Sequence, residues 1–184
     1  MGFDLSGLNP NVTRPEPDLP PFAERTSEHW DEYTEWQEEN CGVYFRNNVW
    51  GWRPLWNFVA GCCDDILTEK DIEHGCYNDG HKISKTKANR IAKRLWTMLK
   101  RGDVKKYEKE YKEYLASLEQ VDCDICDATG KRQKPPETGA GDVICNGCKG
   151  TGKRDDWNKS YPFDVENVRQ FANFCANSGG FRIC

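Results

Sequence analysis

The chain has no apolar run near the ~20 residues that a membrane helix needs, which excludes a helical span. Its first residues, Met1-Gly-Phe-Asp-Leu-Ser6, hold neither a basic stretch nor an apolar core, so no secretory signal is read there. They match the short M-G-x-x-x-[ST] acylation pattern, but no second membrane signal accompanies it. A short strand with Phe3 and Leu5 on one face is the preferred reading. The expected location is the cytoplasm, with no membrane partner.

Catalytic signatures are also missing. There is no G-x-S-x-G, no H-E-x-x-H, no Walker loop and no Rossmann glycine pattern. The three histidines, His29, His74 and His81, stand apart without a partnering motif. No catalytic residue is assigned, and the balance leans away from an enzyme. An active site assembled from scattered residues would leave no such local trace.

Cysteine, by contrast, is abundant, at 10 in 184 residues. Two copies of one pattern account for four of them. The first is Cys123-Asp-Ile-Cys126-Asp-Ala-Thr-Gly130-Lys-Arg132, and the second is Cys145-Asn-Gly-Cys148-Lys-Gly-Thr-Gly152-Lys-Arg154. Together they read C-x2-C-x18-C-x2-C, which is zinc-site spacing. Each Cys-x-x-Cys chelates from a tight turn, so two turns supply the four thiolates of a closed tetrahedral site. Cys123, Cys126, Cys145 and Cys148 are the expected ligands of one structural zinc ion. A site with four protein ligands leaves no position for water or substrate, so this metal would hold structure and do no chemistry.

The other cysteines are Cys41, Cys62, Cys63, Cys76, Cys175 and Cys184. They read as small hydrophobes kept reduced, since the chain is long enough for a real core and shows no export signal. Cys62, Cys63, His74, Cys76 and His81 form the one other candidate metal group, although their spacings fit no standard pattern.

Charged residues make up 30% of the chain and aromatics 12%, with 7 tryptophans, a composition that excludes disorder. The formal charge of −4 hides a polarity. Residues 1–40 carry 10 acidic and 2 basic side chains, whereas residues 83–120 carry 11 basic and 5 acidic.

Residues 9–21 contain five prolines and are an extended loop. A helix is expected near 27–40, with Trp30, Tyr33 and Trp36 on one side, and then a short strand over Cys41–Arg46. Pro54 suits the first turn of a helix running to about residue 66. Thr68 caps a short helix that ends before Gly75, and Asn78-Asp-Gly80 is a turn. Ser84 opens a longer helix with the apolar stripe Ala88, Ile91, Ala92, Leu95 and Leu99. Gly102 ends it, Asp103 starts the next helix, and the two form a helical hairpin or a bent pair. Asp164 caps a last helix that stops at Gly179-Gly180. Residues 181–184 finish as a strand beside the N-terminal one. The expected fold is α+β, a helix-rich domain with a small sheet. Its parts are a main domain over 1–120, a zinc-knuckle module over 121–156, and a returning C-terminal helix and strand over 157–184.

Three constellations carry functional alternatives. Lys131, Arg132, Lys153 and Arg154 could project from the knuckle tips and contact phosphates. Acidic neighbours cancel much of that field, which favours a purely solubilising role. Lys87, Arg90, Arg94 and Arg101 share one side of their helix and offer a phosphate-contacting face. The preferred reading there is a solvated or internally neutralised face. Trp50, Trp52 and Trp56, beside Arg46 and Arg53, could stack a nucleotide. The alternative, that these rings are core, is preferred.

The C-x-x-C-x-x-T-G units resemble the cysteine-rich repeats of DnaJ-type chaperones, whose unit is C-x-x-C-x-G-x-G. Cys148-Lys-Gly-Thr-Gly152 fits that unit fully, and Cys126-Asp-Ala-Thr-Gly130 has Ala128 in place of the inner glycine. Those chaperones carry four units and two zinc ions, and this chain has two units and no His-Pro-Asp. The resemblance covers about 30 residues and implies one zinc site without co-chaperone activity. Single-zinc versions of the unit occur in small regulatory proteins that bind other proteins. Met1-Gly-Phe-Asp-Leu-Ser-Gly-Leu-Asn-Pro10, Tyr44-Phe-Arg-Asn-Asn48, and Tyr161-Pro-Phe163 through Ser178-Gly-Gly180 also resemble a group of bacterial and phage proteins with no established activity. The function expected first is therefore non-enzymatic binding of a host protein, or of a second copy, by a phage or prophage product. Nucleic-acid binding, and nucleotide sequestering or processing, are the alternatives.

Overall fold

The computed structural model describes residues 2–184; Met1, the first residue of the acylation match, lies outside them. In chain order the elements are β1 (Gly2–Gly7), α1 (Ser27–Glu39), β2 (Tyr44–Asn48), α2 (Val49–Cys62), α3 (Glu69–His74), β3 (His81–Ser84), α4 (Lys85–Arg101) and α5 (Asp103–Ser117). Then come β4 (Gln120–Asp122), β5 (Lys131–Arg132), β6 (Val143–Ile144), β7 (Lys153–Asp155), α6 (Val165–Asn177) and β8 (Gly180–Ile183). The fold is thus mixed helix and small antiparallel sheets. No helix among the described residues is long and apolar enough to cross a membrane.

The chain divides into two compact units. One is the chain up to Glu108 together with Phe163–Cys184, and the other is Lys109–Pro162. The boundaries fall inside α5 and just before Phe163, whereas the sequence suggested breaks near residues 120 and 157.

In the first unit four strands form one antiparallel sheet in the order β2-β1-β8-β3. Leu5 faces Phe45 on one neighbour and Ile183 on the other, and Ile83 faces Phe181. Phe3, Leu5, Phe45, Ile83, Phe181 and Ile183 are all buried, while Ser6, Arg46 and Arg182 on the opposite face are exposed. That alternation is what a sheet with one covered face requires. The cover comes from α2, α4 and α6. Trp52 stacks on Phe3 and on Trp56, each at 5.3 Å between ring centres, and Phe171 meets Trp52, Phe45 and Phe181. An indole that buries about 200 Å² contributes at most about 5 kcal/mol at ~25 cal/mol per Å².

The helix boundaries follow from their caps. Thr68 and Asp71 form a capping box at α3, and the Ser84 hydroxyl accepts from the Lys87 N–H at the start of α4. Gly102 ends α4 in the left-handed region, at φ +81°. One boundary differs from expectation. The Asn48 side chain accepts from the Gly51 N–H and starts α2 at Val49, so Pro54 lies inside the helix. A proline there forfeits one helical bond. The burial of Trp52, Leu55, Trp56, Phe58 and Val59 along the same helix offsets that loss.

Candidate metal centre

The second unit is built on two short antiparallel pairings, β4 with β7 and β5 with β6. They bring the two cysteine repeats together in a crossed arrangement. The Cys123 N–H donates to the Gly152 carbonyl, and the Cys145 N–H donates to the Gly130 carbonyl, both at 2.9 Å. Within each turn the same bonds recur. Ala128 N–H reaches the Cys123 carbonyl at 2.9 Å, and Gly150 N–H reaches the Cys145 carbonyl at 3.2 Å. The Thr129 hydroxyl sits 2.6 Å from the Cys126 carbonyl, and the Thr151 hydroxyl sits 2.8 Å from that of Cys148. The shared cysteines, threonines and final glycines of the repeat therefore each make the same bonds in both copies.

All four cysteines are buried, and their sulfurs lie within 4.8 Å of one another. The Cys123 and Cys145 sulfurs are 3.8 Å apart, and those of Cys126 and Cys148 are 3.7 Å apart. Four sulfurs held tetrahedrally at about 2.3 Å from one ion would be about 3.8 Å apart. The donor set therefore fits a thiophilic ion, and the cluster can hold a metal. No other group of His, Cys, Asp or Glu among the described residues converges in this way.

The electrostatics of the thiols divide between Cys126 and Cys148. Burial pushes the Cys126 thiol up to about 12, and the neighbouring thiols add to it. Burial also opposes ionisation of Cys148, but the Gly152 N–H, the Cys126 thiol and the Gly150 N–H outweigh it and bring Cys148 down to about 6. The Gly152 N–H lies 3.3 Å from the Cys148 sulfur. Backbone amides aimed at a sulfur favour the thiolate, the form that binds metal. Ile125 packs against the cluster from outside.

No family model, curated protein or solved structure matches this chain. The likeness to DnaJ-type repeats stands on the repeat residues alone.

Arg132 is buried and does not project from a tip. Its guanidinium bonds to the Asn146 side chain at 2.9 Å and to the Glu137 and Gln133 carbonyls, stapling the loop between the two repeats. Lys153 pairs with Asp122, and Arg154 pairs with Asp124 at 3.1 Å; Lys131 and Lys153 are both exposed. On α4, Lys87 pairs with Asp71, Arg90 and Arg94 pair with Asp65, and Arg101 pairs with Asp103 at 3.2 Å. Trp52 and Trp56 are core residues, with their indole N–H groups donating to the Gly75 and Ile72 carbonyls. They present no face to a ligand. Trp50 is half-buried, Arg46 lies 3.6 Å from Asp4, and Arg53 is exposed.

The second cysteine–histidine group does not converge on one point. The Cys62 and Cys63 sulfurs are neighbours, but Cys76 bonds to the Ile72 carbonyl. His74 and His81 stack at 4.9 Å and turn to carboxylates instead, His74 to Asp79 and His81 to Asp71 at 2.9 Å. Sequence reasoning missed the Asp71 network. The Thr68 cap was legible, but Asp71 and its partners His81 and Lys87 meet only through the tertiary fold.

Proposed function

We propose that this chain is a non-enzymatic binding protein whose Lys109–Pro162 unit is held by one structural zinc ion and whose target is another protein. The observation that carries the reading is the contrast within that unit. Four buried sulfurs form its centre, while Ile144 is 69% exposed and Val143 39% exposed on β6. A small metal-held unit that shows apolar side chains has the form of a contact surface. Zinc is the ion of choice, because a tetrahedral four-thiolate set is its usual structural site. A phage or prophage product acting on a host protein is the setting suggested by the sequence resemblance. A second copy of the chain is the other protein partner to test.

The experiment is capture from bacterial lysate on metal-loaded protein, beside an Ile144→Asp variant, with native mass spectrometry of both. The expected result is one zinc per chain, lost on denaturing, and a stoichiometric protein or second copy held by the parent and lost by the variant. Absence of zinc, or equal capture by both, overturns the reading.

A second reading rests on a groove of about 430 Å³ along α4, where Arg90, Lys93, Arg94 and Arg101 surround Ile66 and Met98. Cations around one groove suit a nucleic-acid phosphate chain, which would have to compete with Asp65 for Arg90 and Arg94 and with Asp103 for Arg101. This reading expects binding that falls steeply with salt and is lost in Arg90→Glu/Arg94→Glu. Salt-independent binding, or none, dismisses it.

A further inference from the structure

Six cysteines lie outside the four-sulfur cluster, and two of them form a pair. The Cys62 and Cys63 sulfurs are 3.8 Å apart at the C-terminal end of α2. Cys63 is fully buried, while Cys62 is half-buried and in reach of small solutes. The helix end that carries them is clamped from α4. Arg94 donates to the Cys62 carbonyl at 2.6 Å and to the Asp65 carboxylate at 3.0 Å. The clamp fixes the backbone at the point where the two sulfurs meet and brings a guanidinium near them. The other four cysteines are single. Cys41 is held between Asn177 and the Asn173 carbonyl, Cys76 bonds to the Ile72 carbonyl, Cys175 is buried, and Cys184 is exposed.

We propose that Cys62 and Cys63 are a reversible dithiol–disulfide site that is oxidised by hydroperoxides. The Cys62 thiolate attacks the terminal peroxide oxygen, the O–O bond breaks, and the leaving oxygen departs as water or an alcohol after taking a proton. Cys62 is then a sulfenic acid. The Cys63 sulfur attacks the Cys62 sulfur, the S–O bond breaks, and the hydroxyl leaves as water with the Cys63 proton. Two electrons pass from the two thiols to the peroxide, and a small dithiol returns them by exchange.

The roles of the two sulfurs are distinct. The contact between the two sulfurs lowers Cys62 against the opposing effect of burial, and Arg94 lowers it further. The same contact with Cys62, together with burial, pushes Cys63 up, so Cys63 keeps its proton. The partly open sulfur is therefore the nucleophile and the buried one resolves it. Adjacent Cα atoms are about 3.8 Å apart across a trans peptide, less than the ~4.4–6.8 Å of an unstrained disulfide. Strain of this kind makes a disulfide easy to reduce, which suits a reversible site and not a structural staple.

The test uses the full, metal-loaded chain with about one equivalent of hydrogen peroxide, followed by alkylation, trypsin and mass spectrometry. Peptide 47–70 holds Cys62 and Cys63 and no other cysteine, since Arg53 precedes a proline and resists cleavage. The expected result is a loss of about 2 Da in that peptide, reversed by dithiothreitol, with the metal retained. In Cys63→Ser the expected product is a Cys62 sulfenic acid trapped by dimedone. Peptide 47–70 recovered with both cysteines alkylated, cross-linked to another peptide, or carried to sulfinic acid without a disulfide overturns the proposal.

Discussion

Ala128 and Gly150 occupy the same step of the two cysteine turns, and both are left-handed, with φ of +60° and +87°. A glycine takes that conformation freely, whereas a side chain there costs about 1–2 kcal/mol. Ala128→Gly should therefore tighten metal retention, and Gly150→Ala should weaken it by about 1 kcal/mol, roughly fivefold. Competition with a chelator reads both. Gly152→Ala should be far worse, because a Cβ there would fall 2.1 Å from the Ala128 carbonyl oxygen as well as forcing a φ of +75°. Equal affinities across the three variants would show that turn conformation does not govern the site.

Cys145→Ser should release the metal and leave most of the helical circular dichroism. The four sulfurs lie in the Lys109–Pro162 unit, while α2, α4 and α6 belong to the other unit and pack through Trp52, Leu95, Phe171 and their neighbours. Removing one thiolate removes folding free energy only where the metal supplied it. Collapse of the whole helical signal on substitution or chelation would mean that the helical core depends on the metal.

Much of this arrangement was legible in the sequence, and the gaps have physical reasons. The four sulfurs were readable because the repeated Cys-x-x-Cys fixes their spacing locally. Ser84, Thr68, Gly102 and Asp164 marked helix ends because caps are local bonds. The strand at residues 81–84 was not legible. It buries only Ile83 and takes its place from pairing with β8, some 100 residues away. Arg132 was misplaced for a related reason. Its sequence twin Arg154 pairs with Asp124 near the surface, but Arg132 finds Asn146 and the Glu137 carbonyl only once the intervening loop has closed. Pro54 misled because proline prefers a first turn, and the Asn48 cap shifted that turn upstream.

Asp71 should make the first unit sensitive to acid. Burial by itself would raise its carboxyl, but Lys87, the Thr68 N–H and His81 outweigh it and hold the group well below the usual carboxylate range. A carboxyl depressed in the folded state adds stability above its unfolded value near ~3.9 and loses it as pH falls toward the folded value. Asp71→Asn should cost about 2 kcal/mol at pH 7, as loss of charge-assisted bonds does. The gap in urea midpoint between parent and variant should be constant at neutral pH and close below about pH 4. A gap that persists unchanged at pH 2.5 would refute the assignment.

Gly75 and Gly61 separate two reasons for a glycine. Gly75 has an ordinary backbone, with φ −65° and ψ −13°, so an alanine meets no conformational barrier there. What forbids one is Trp56. A Cβ on Gly75 would lie 1.9 Å from the indole ring, which is buried and tied by its N–H to the Ile72 carbonyl at 3.0 Å. Neither partner can yield without disturbing the Trp52–Trp56 stack, and Trp52 itself donates to the Gly75 carbonyl at 2.8 Å. Gly61, in α2, has nothing within 4 Å of the same added atom. Alanine at Gly61 should stabilise the protein by about 0.5–1 kcal/mol through helix propensity. The same change at Gly75 should destabilise it by about 3 kcal/mol through overpacking. Thermal unfolding of the two single variants checks this, and the opposite signs are the point of the comparison. If Gly75→Ala were neutral, the tryptophan stack would be looser than its buried, hydrogen-bonded geometry implies.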